Sequence, residues 1–380
     1  MNSEIEAPVS EQGSSRAAHG SRLTTQDSPL TTPPLAFTLP ADWYHRPDIY
    51  ERERQAVFRR EWIWLGREDQ LRSPGDYVAV EYAGWRLFAV RGREGELRAF
   101  HNVCRHRGAP LLEAGAGRCD VLRCPYHGWT YDTAGRLRAT PHFGSAAGFD
   151  RADYGLLPIH VATWRGFVFV NLDDDPHPLE EGLGDLVAET APYPLEDYRF
   201  VHAESFEMDC NWKVYTDNFV EGYHIPGIHP AFHALIDFGQ FKTEGRNRTV
   251  VMQAPQKDGA FYGGTWLWRY PGMTLSTFPG GMNISRIVPL GPRRMRQEYN
   301  FLFADHSPAA LARHRETIAR NCDVIRQDFA ICEGTQANLE AGIFDHGPLS
   351  PRHEQGVRYY HDLLRQALGA NARPPRPYTE

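Results

Sequence analysis

The sequence lacks any apolar run near the roughly 18 residues that a membrane-spanning helix needs. Its opening stretch, MNSEIEAPVSEQGSSRAAHGS, has neither the basic n-region nor the apolar h-region of a secretory signal. Clusters of positive charge are also missing, because the net charge is -7 and the basic residues are scattered. We therefore expect a cytoplasmic protein that binds neither membrane nor nucleic acid.

Two further absences concern redox chemistry. No glycine-rich strand-to-helix fingerprint for NAD or flavin occurs in the chain. Cysteine is sparse, with six in 380 residues, which is too few for the disulfide framework of a secreted protein. The thiols are therefore expected to be reduced and available to a metal.

Three of the six cysteines share one short segment with two histidines, CRHRGAPLLEAGAGRCDVLRCPYHGW. Cys104-x-His106 comes first and Cys124-x-x-His127 follows, so each of two loops offers one thiolate and one imidazole. This donor set can serve two irons, one held by sulfur and one by nitrogen. A structural zinc site is the alternative, although zinc motifs usually pair cysteine with cysteine and histidine with histidine. Cys119 matches no ligand spacing, and we expect it to be a small buried hydrophobe.

The composition is that of a folded protein, with 41% hydrophobic residues, and 380 residues suit two domains. We predict a mobile tail over residues 1–36, rich in Ser, Thr, Pro and Gly. An all-β domain with an N-terminal helix follows over residues 37–174, where short β-prone runs alternate with turn signals. Residues 175–380 form an α+β domain that includes a long helix beginning near Pro308.

A second candidate metal site lies in MDCNWKVYTDNFVEGYHIPGIHP. We predict a helix from about Trp212 to Tyr223 that Pro226 ends, with Glu221 and His224 on one face and His229 returned by the next loop. Two histidines and a later carboxylate would form the facial triad that leaves open positions on Fe(II). Ordinary surface or core histidines are the alternative interpretation.

Both sites resemble those of one known family. CRHRGAPL and CPYHGWTYDTAGRL closely resemble the cluster-binding loops of Rieske non-haem iron oxygenases, and NWKVYTDNFVEGYH resembles the catalytic-domain signature of the same family. QDFAICEGTQ is similar to the acidic stretch on the family's long helix, although Gln327 stands where the family usually has Glu. The resemblance implies an all-β Rieske [2Fe-2S] domain followed by an α+β helix-grip (START-like) catalytic domain.

The resemblance also implies ligands for both cofactors. One cluster iron would be held by the two thiolates and the other by the two imidazoles of Cys104, His106, Cys124 and His127. The mononuclear Fe(II) would be held by His224, His229 and Asp328. Asp323, on the same helix, is the other candidate for the third ligand.

Two polar residues of the same signature are expected to act beside the iron. In the family, the carboxylate at the position of Glu221 bridges a cluster histidine of one subunit and an iron histidine of the next, which implies a homotrimer. Asn218 resembles the asparagine near the iron. The resemblance further implies O2 as co-substrate and electrons from a separate NAD(P)H-dependent reductase, with or without a ferredoxin.

The substrate is the least determined feature. DNFVEGYH is similar to the branch that hydroxylates or N-dealkylates choline, glycine betaine and carnitine, so a methylated amine is slightly favoured. Mono- or dioxygenation of an aromatic compound is the alternative, and a Rieske electron carrier or redox sensor is the non-enzymatic one. The segment GAFYGGTWLWRYPGMTLSTFPGGMN would line the pocket, where Trp266, Trp268 and Tyr270 could cage a quaternary ammonium group or simply form core.

Overall fold

The structure is a computed structural model that describes residues 34–257 and 264–369. Most of the predicted tail, residues 1–33, lies outside the described residues, but Ala36–Phe37 (β1) pairs with Pro348–Leu349. The predicted N-terminal helix is confirmed as Pro47–Glu53 (α1), which continues in a π-helical turn, Arg54–Phe58. None of the helices in the described ranges combines the length and apolar composition that crossing a bilayer requires.

Apart from α1 and short helical turns, the first half of the chain is β, as predicted, and contains a sheet of seven antiparallel strands. Its strands, in chain order, are Ile63–Arg67 (β2), Asp76–Tyr82 (β3), Trp85–Arg91 (β4), Leu97–His101 (β5), Gly115–Arg118 (β6), Pro158–Trp164 (β10) and Phe167–Asn171 (β11). Across the sheet they follow the spatial order β2-β11-β10-β5-β4-β3-β6. A smaller sheet consists of Leu122–Arg123 (β7), Thr130–Tyr131 (β8) and Leu137–Ala139 (β9). The two loops with the cysteine–histidine motifs emerge beside this smaller sheet.

The second half contains another seven-stranded antiparallel sheet and a long helix. Its strands, in chain order, are Arg199–Met208 (β12), Lys242–Arg246 (β13), Thr249–Ala254 (β14), Gly264–Arg269 (β15), Met273–Phe278 (β16), Gly281–Gly291 (β17) and Arg294–Phe303 (β18). Across the sheet they follow the spatial order β12-β18-β17-β16-β15-β14-β13. The strand that pairs with β1, Pro348–Leu349, is β19. The helices after α1 are Leu179–Leu183 (α2), Leu186–Thr190 (α3), Trp212–Phe219 (α4), Ile225–Ile228 (α5), Pro230–His233 (α6), Pro308–Glu340 (α7) and Gln355–Ala367 (α8). Short 3-10 turns are Ala41–Tyr44, Glu68–Gln70, Arg151–Tyr154, Leu195–Asp197 and Phe238–Gln240.

Helix α7 begins where the sequence predicted it. The Ser307 hydroxyl accepts a hydrogen bond from the Ala310 amide, and Pro308 occupies the first turn, where its missing N–H costs nothing. The helix packs apolar residues such as Ile318 and Ile325 against Phe301 and other aromatic side chains of the sheet. The predicted α+β class of this half is therefore confirmed.

The predicted end of α4 was wrong. The helix stops at Phe219 rather than Tyr223, and Pro226 lies in the first turn of α5 instead of ending α4. The reason is the Glu221 carboxylate, which accepts hydrogen bonds from the backbone amides of Tyr223 and His224 and so competes with helical hydrogen bonding. Glu221 and His224 therefore share a turn, not a helix face.

Two arginines of the second sheet, the half-buried Arg286 and the buried Arg269, join it to the edge strand β2 of the first and to the residues just before that strand. Arg286 donates hydrogen bonds of 2.8 Å to the carbonyls of Trp64 and Leu65. Arg269 donates to the Trp62 carbonyl at 2.8 Å and to the Glu61 carboxylate at 2.9 Å. Because β2 is an edge strand, its carbonyl groups are free to accept these bonds, so the two sheets are held in a defined relation.

Candidate functional site

The two cysteine–histidine loops have matching backbone geometry. The carbonyl of Cys104 accepts from the amide of Gly108 at 2.9 Å, and that of Cys124 accepts from the amide of Gly128 at 3.0 Å. Gly108 and Gly128 have φ of 77° and 71°, a left-handed conformation that glycine adopts without strain. Two similar turns therefore present the two pairs of donor groups side by side.

The sulfur donors are buried and the nitrogen donors lie nearer the surface. Cys104 and Cys124 are both 2% exposed, whereas His106 and His127 are half-buried and their Nδ1 atoms lie 3.2 Å apart. Trp129 stacks on the His106 ring with centroids 4.8 Å apart. Buried sulfur on one side and convergent imidazole nitrogen nearer the surface are the donors a Rieske cluster requires, so these residues fit that group.

The Cys104 thiol lies where its thiolate form is disfavoured unless a cation is present. Burial raises the pKa of the Cys104 thiol; the hydroxyl of Tyr131, 3.4 Å from its sulfur, opposes this, and the neighbouring Cys124 thiol raises the pKa further. All six cysteines are free, so the pair is not consumed by a disulfide. Cys119 packs against the apolar cluster around Leu122, but it is half-buried rather than buried as predicted.

The second site brings His224, His229 and Asp328 together from three separate elements. His224 lies in the turn after α4, His229 between α5 and α6, and Asp328 on α7. One potential ligand atom from each lies within 4.8 Å of the others. The Asp328 carboxylate is 2.9 Å from His229 Nε2 and 4.0 Å from His224 Nε2. Two imidazoles and one carboxylate are the donor set of a facial triad, which fits Fe(II).

Each histidine of this site is oriented by a second residue. His224 Nδ1 is 2.5 Å from Glu221 Oε1, and His229 Nδ1 is 2.7 Å from the amide oxygen of Gln327. With both Nδ1 atoms occupied as donors, both Nε2 atoms are left to face the metal position. Burial alone lowers the pKa of His229, but the hydrogen bond and charge of Asp328 raise it above its ordinary value.

Asp323, the other candidate for the third ligand, does not belong to the group formed by His224, His229 and Asp328. Its side chain is 69% exposed and pairs with Arg326 at 3.0 Å. Gln327, by contrast, reaches the site although we noted it only as a departure from the family pattern. Its position next to Asp328 in the sequence was the one available signal, and the hydrogen bond to His229 depends on the tertiary fold.

The NWK part of the signature anchors the start of α4. Asn211 accepts from the amide of Lys213 at 2.9 Å and caps the helix. The indole of Trp212 and the ammonium of Lys213 both donate to the buried carboxylate of Glu53 on α1, at 2.8 and 2.6 Å. Near the other end of the helix, Asp217 accepts from Tyr44 at 2.6 Å. The position of His224 thus depends on contacts with the N-terminal helix.

A cavity of about 100 Å³ adjoins the triad. Its floor is one row of paired residues across four strands, Met252, Trp266, Ser276 and Asn283. Its other walls include the triad, Asn218 and Glu221, together with the aromatic rings of Tyr215, Phe219, Phe232, Phe241 and Tyr299.

Of the three aromatic residues predicted as pocket or core, one lines the cavity and two do not. Trp266 faces the cavity, with the ring of Phe232 at 5.5 Å. Trp268 and Tyr270 are 0% and 3% exposed and belong to the core. The GAFYGG part of the predicted pocket lies, except for its last glycine, in residues 258–263, outside the described residues.

Two family models match this chain. The Rieske [2Fe-2S] domain model matches residues 61–158, and the ring hydroxylating alpha subunit (catalytic domain) model matches residues 195–370. Choline monooxygenase of Spinacia oleracea is 30% identical over 367 residues, which cover 91% of this chain and 82% of that protein. The carnitine monooxygenase oxygenase subunit of Escherichia coli K12 is 30% identical over 359 residues, which cover 88% and 95%.

Solved structures are similar over the same range. The quaternary ammonium Rieske monooxygenase CntA in complex with its substrate L-carnitine superimposes with a TM-score of 0.79 at 26% identity, covering 88% of this chain and 96% of that one. Naphthalene 1,2-dioxygenase with indole in its active site superimposes with a TM-score of 0.75 at 19% identity, covering 88% and 92%. The second likeness concerns the fold alone.

Proposed function

The chain belongs to the Rieske oxygenases with a ring-hydroxylating alpha-subunit catalytic domain, and from this we propose that it is the terminal component of a monooxygenase for a small quaternary ammonium compound. The family supplies the reaction type, which uses a Rieske cluster, a mononuclear iron and O2. The substrate class is supported by relatives that are named for choline and carnitine and cover most of this chain.

The observation that carries the substrate class is the aromatic wall beside the triad. Trp266 and Phe232 meet edge to face, and Phe241 lies over Trp266 with centroids 6.3 Å apart. Aromatic faces attract a quaternary ammonium group by cation–π interaction, worth up to about 2 kcal/mol when water is excluded. The cavity is also smaller than the roughly 300–1,000 Å³ of pockets for drug-sized ligands, which suits a compact cation.

Each cofactor has a proposed ligand set in this chain. We assign one cluster iron to Cys104 and Cys124, the other to His106 and His127, and the mononuclear iron to His224, His229 and Asp328. When bound, the iron supplies the site at which O2 is activated with electrons delivered through the cluster.

The residues around the iron position hold protons and orient donors. Glu221 and Gln327 hold the Nδ1 protons of the two histidines, which keeps both Nε2 lone pairs available. Asn218 offers a polar group at the cavity wall, and the aromatic residues hold the organic cation and keep water away from its carbon atoms.

The assembly and its electron source are also proposals. Within one chain, the hydrogen bonds of Glu221 go to His224 and to the amides of its own turn. Its outer side would reach a cluster histidine of a neighbouring subunit in a homotrimer. A separate NAD(P)H-dependent reductase would supply electrons, and a cytoplasmic location stays a prediction from the sequence.

We expect the protein carrying cluster and Fe(II), supplied with a reductase and NADH, to consume O2 in step with oxidation of choline-type cations and to leave aromatic acids unchanged. O2 uptake and mass spectrometry of the products measure this. His224→Ala should lose turnover and the chelatable third iron but keep the Rieske EPR signal, whereas Cys104→Ala should lose the signal. A cluster signal without any iron sensitive to His224→Ala would indicate an electron carrier instead.

A further inference from the structure

The described lining of the cavity offers neither a lysine nor an arginine to an anionic group. Its ionisable groups are Glu221, Asp328, the two histidines and two tyrosines. A carboxylate moved from water into this place would lose its hydration without an ion pair from the protein. Apart from the iron proposed at the triad, the described lining therefore gives a ligand carboxylate no arginine or lysine to pair with, which favours a ligand without one.

The end of the floor row opposite Met252 is polar. Ser276 and Asn283 face each other across β16 and β17, and both line the cavity. Asn283 is 3% exposed, and its Oδ1 is buried and accepts no hydrogen bond from any described residue. A buried acceptor without a donor destabilises the protein, so a hydrogen-bond donor brought by a ligand would stabilise this site.

The orientation of the Asn283 amide follows from a short chain of hydrogen bonds. The carbonyl of Thr317 on α7 can only accept, and the Asn321 amide nitrogen donates to it at 2.8 Å. The Asn321 oxygen is thereby turned toward Asn283, whose Nδ2 lies 3.4 Å away and donates to it. Because the Asn283 Nδ2 points toward Asn321, the Asn283 Oδ1 points away from Asn321. The polar atom of Asn283 that lacks a partner is therefore an acceptor and not a donor.

The acceptor and the aromatic wall can contact one small molecule. Trp266 and Asn283 are two strands apart in the same row, about 10 Å between backbones at the usual strand spacing. Asn321, the partner of Asn283, precedes Asp328 by two turns of α7, roughly 10 Å along the axis. A ligand that fills the cavity would therefore meet Asn283 at a part away from the metal position.

Building on the proposed function, we propose that Asn283 is a specificity-determining residue that accepts a hydrogen bond from a hydroxyl or N–H group of the substrate. The substrate is then a small organic cation that carries such a donor and no carboxylate. The aromatic wall binds the cationic end, Asn283 binds the donor, and the lack of a basic residue disfavours carboxylated analogues.

The test compares probes that differ by one group on the intact protein loaded with cluster and Fe(II). The dithionite-reduced protein is exposed to O2 with choline, the methyl ether of choline or glycine betaine, and the product of a single turnover is measured by mass spectrometry over a range of probe concentrations. We expect the ether and glycine betaine each to need at least tenfold higher concentrations than choline, because each leaves a buried polar group unpaired.

Variants assign the discrimination to one side chain. Asn283→Leu should bring choline and its methyl ether to within about twofold of each other, since the unsatisfied acceptor is gone. Asn300→Leu is the matched control: Asn300 lies on the neighbouring strand β18, outside the cavity lining, and bonds Arg67. It should keep the full discrimination, and the Rieske EPR signal should be the same in all three proteins.

Two results would overturn the inference while leaving the proposed function intact: equal use of choline and its ether by the unmodified protein, or preferred use of glycine betaine. Because these comparisons need no variant, they do not depend on how well Asn283→Leu folds. If no quaternary ammonium probe is oxidised although the cluster signal and the third iron are present, the proposed function fails and the inference fails with it.

Discussion

At the scale of single residues, the second site shows how a neutral side chain can orient a proposed metal ligand, His229. The Gln327 amide oxygen accepts from His229 Nδ1, the place where a carboxylate would make a stronger, charge-assisted bond. An amide still fixes the tautomer and the ring rotation, which are the two properties that a metal-binding Nε2 depends on.

Replacing Gln327 should therefore weaken iron binding without removing a ligand. We expect Gln327→Leu to lower Fe(II) affinity by about 10- to 100-fold and Gln327→Glu to retain it. Anaerobic Fe(II) titration of the cluster-loaded protein, followed by chelation, measures the affinity. Asp323→Asn, on the exposed side of the same helix, is the control and should bind iron normally. An unchanged affinity in Gln327→Leu would mean that His229 needs no such support.

At the scale of elements, α4 is positioned by a buried ion pair with α1. Glu53 and the Lys213 side chain are both 0% exposed, and burial lowers the pKa of Lys213 against the opposing effect of Glu53. Removal of one partner from a buried pair leaves the other charge without compensation, at a cost of about 3–5 kcal/mol.

We accordingly expect Glu53→Gln to lower the free energy of unfolding by about 3–5 kcal/mol. Urea denaturation followed by tryptophan fluorescence and circular dichroism measures the change. Glu51→Gln, an exposed position on the same helix that pairs with Arg54, should shift stability by no more than about 0.5 kcal/mol. Similar losses in both variants would show that the pair adds nothing beyond an ordinary surface contact.

At the scale of the whole molecule, the proposed trimer makes a prediction about mixed assemblies. A chain with Cys104→Ala keeps the iron site but not the cluster, and a chain with His224→Ala keeps the cluster but not the iron site. If electrons pass between subunits, co-expressed chains should regain activity, because some interfaces join an intact cluster to an intact iron.

For random mixing at equal amounts, roughly one site in four should be productive, since each of two independent conditions is met half the time. Turnover per chain, relative to the unmodified protein and to each variant expressed alone, measures this. The homo-oligomers serve as inactive controls, and native mass spectrometry verifies mixing. Mixed trimers as inactive as their parents would place electron transfer within one chain.

Local sequence patterns predicted some elements of the fold correctly and others not. The β-prone runs from Trp62 onward, the long helix from Pro308 and the order of all-β and α+β halves follow from local patterns, and the structure has them. The end of α4 did not follow, because the side chain of Glu221 competes with the helix at that point. Helical spacing alone carries no information about such a bond. The exact division at residue 174 stays a prediction.

By itself, the sequence determined the chemistry: cysteine and histidine at fixed short spacings, and the signature around His224, are local patterns whose meaning does not depend on distant residues. Only the tertiary structure decided which distant groups meet. In the fold, Asp328 lies beside the two histidines and Asp323 does not, and Trp266 lines the cavity while Trp268 lies in the core. The fold also places Gln327 against His229 and Asn283 in the cavity lining. These choices depend on how α7 lies against the second sheet and on which face each residue occupies, and contacts between residues far apart in the chain set both.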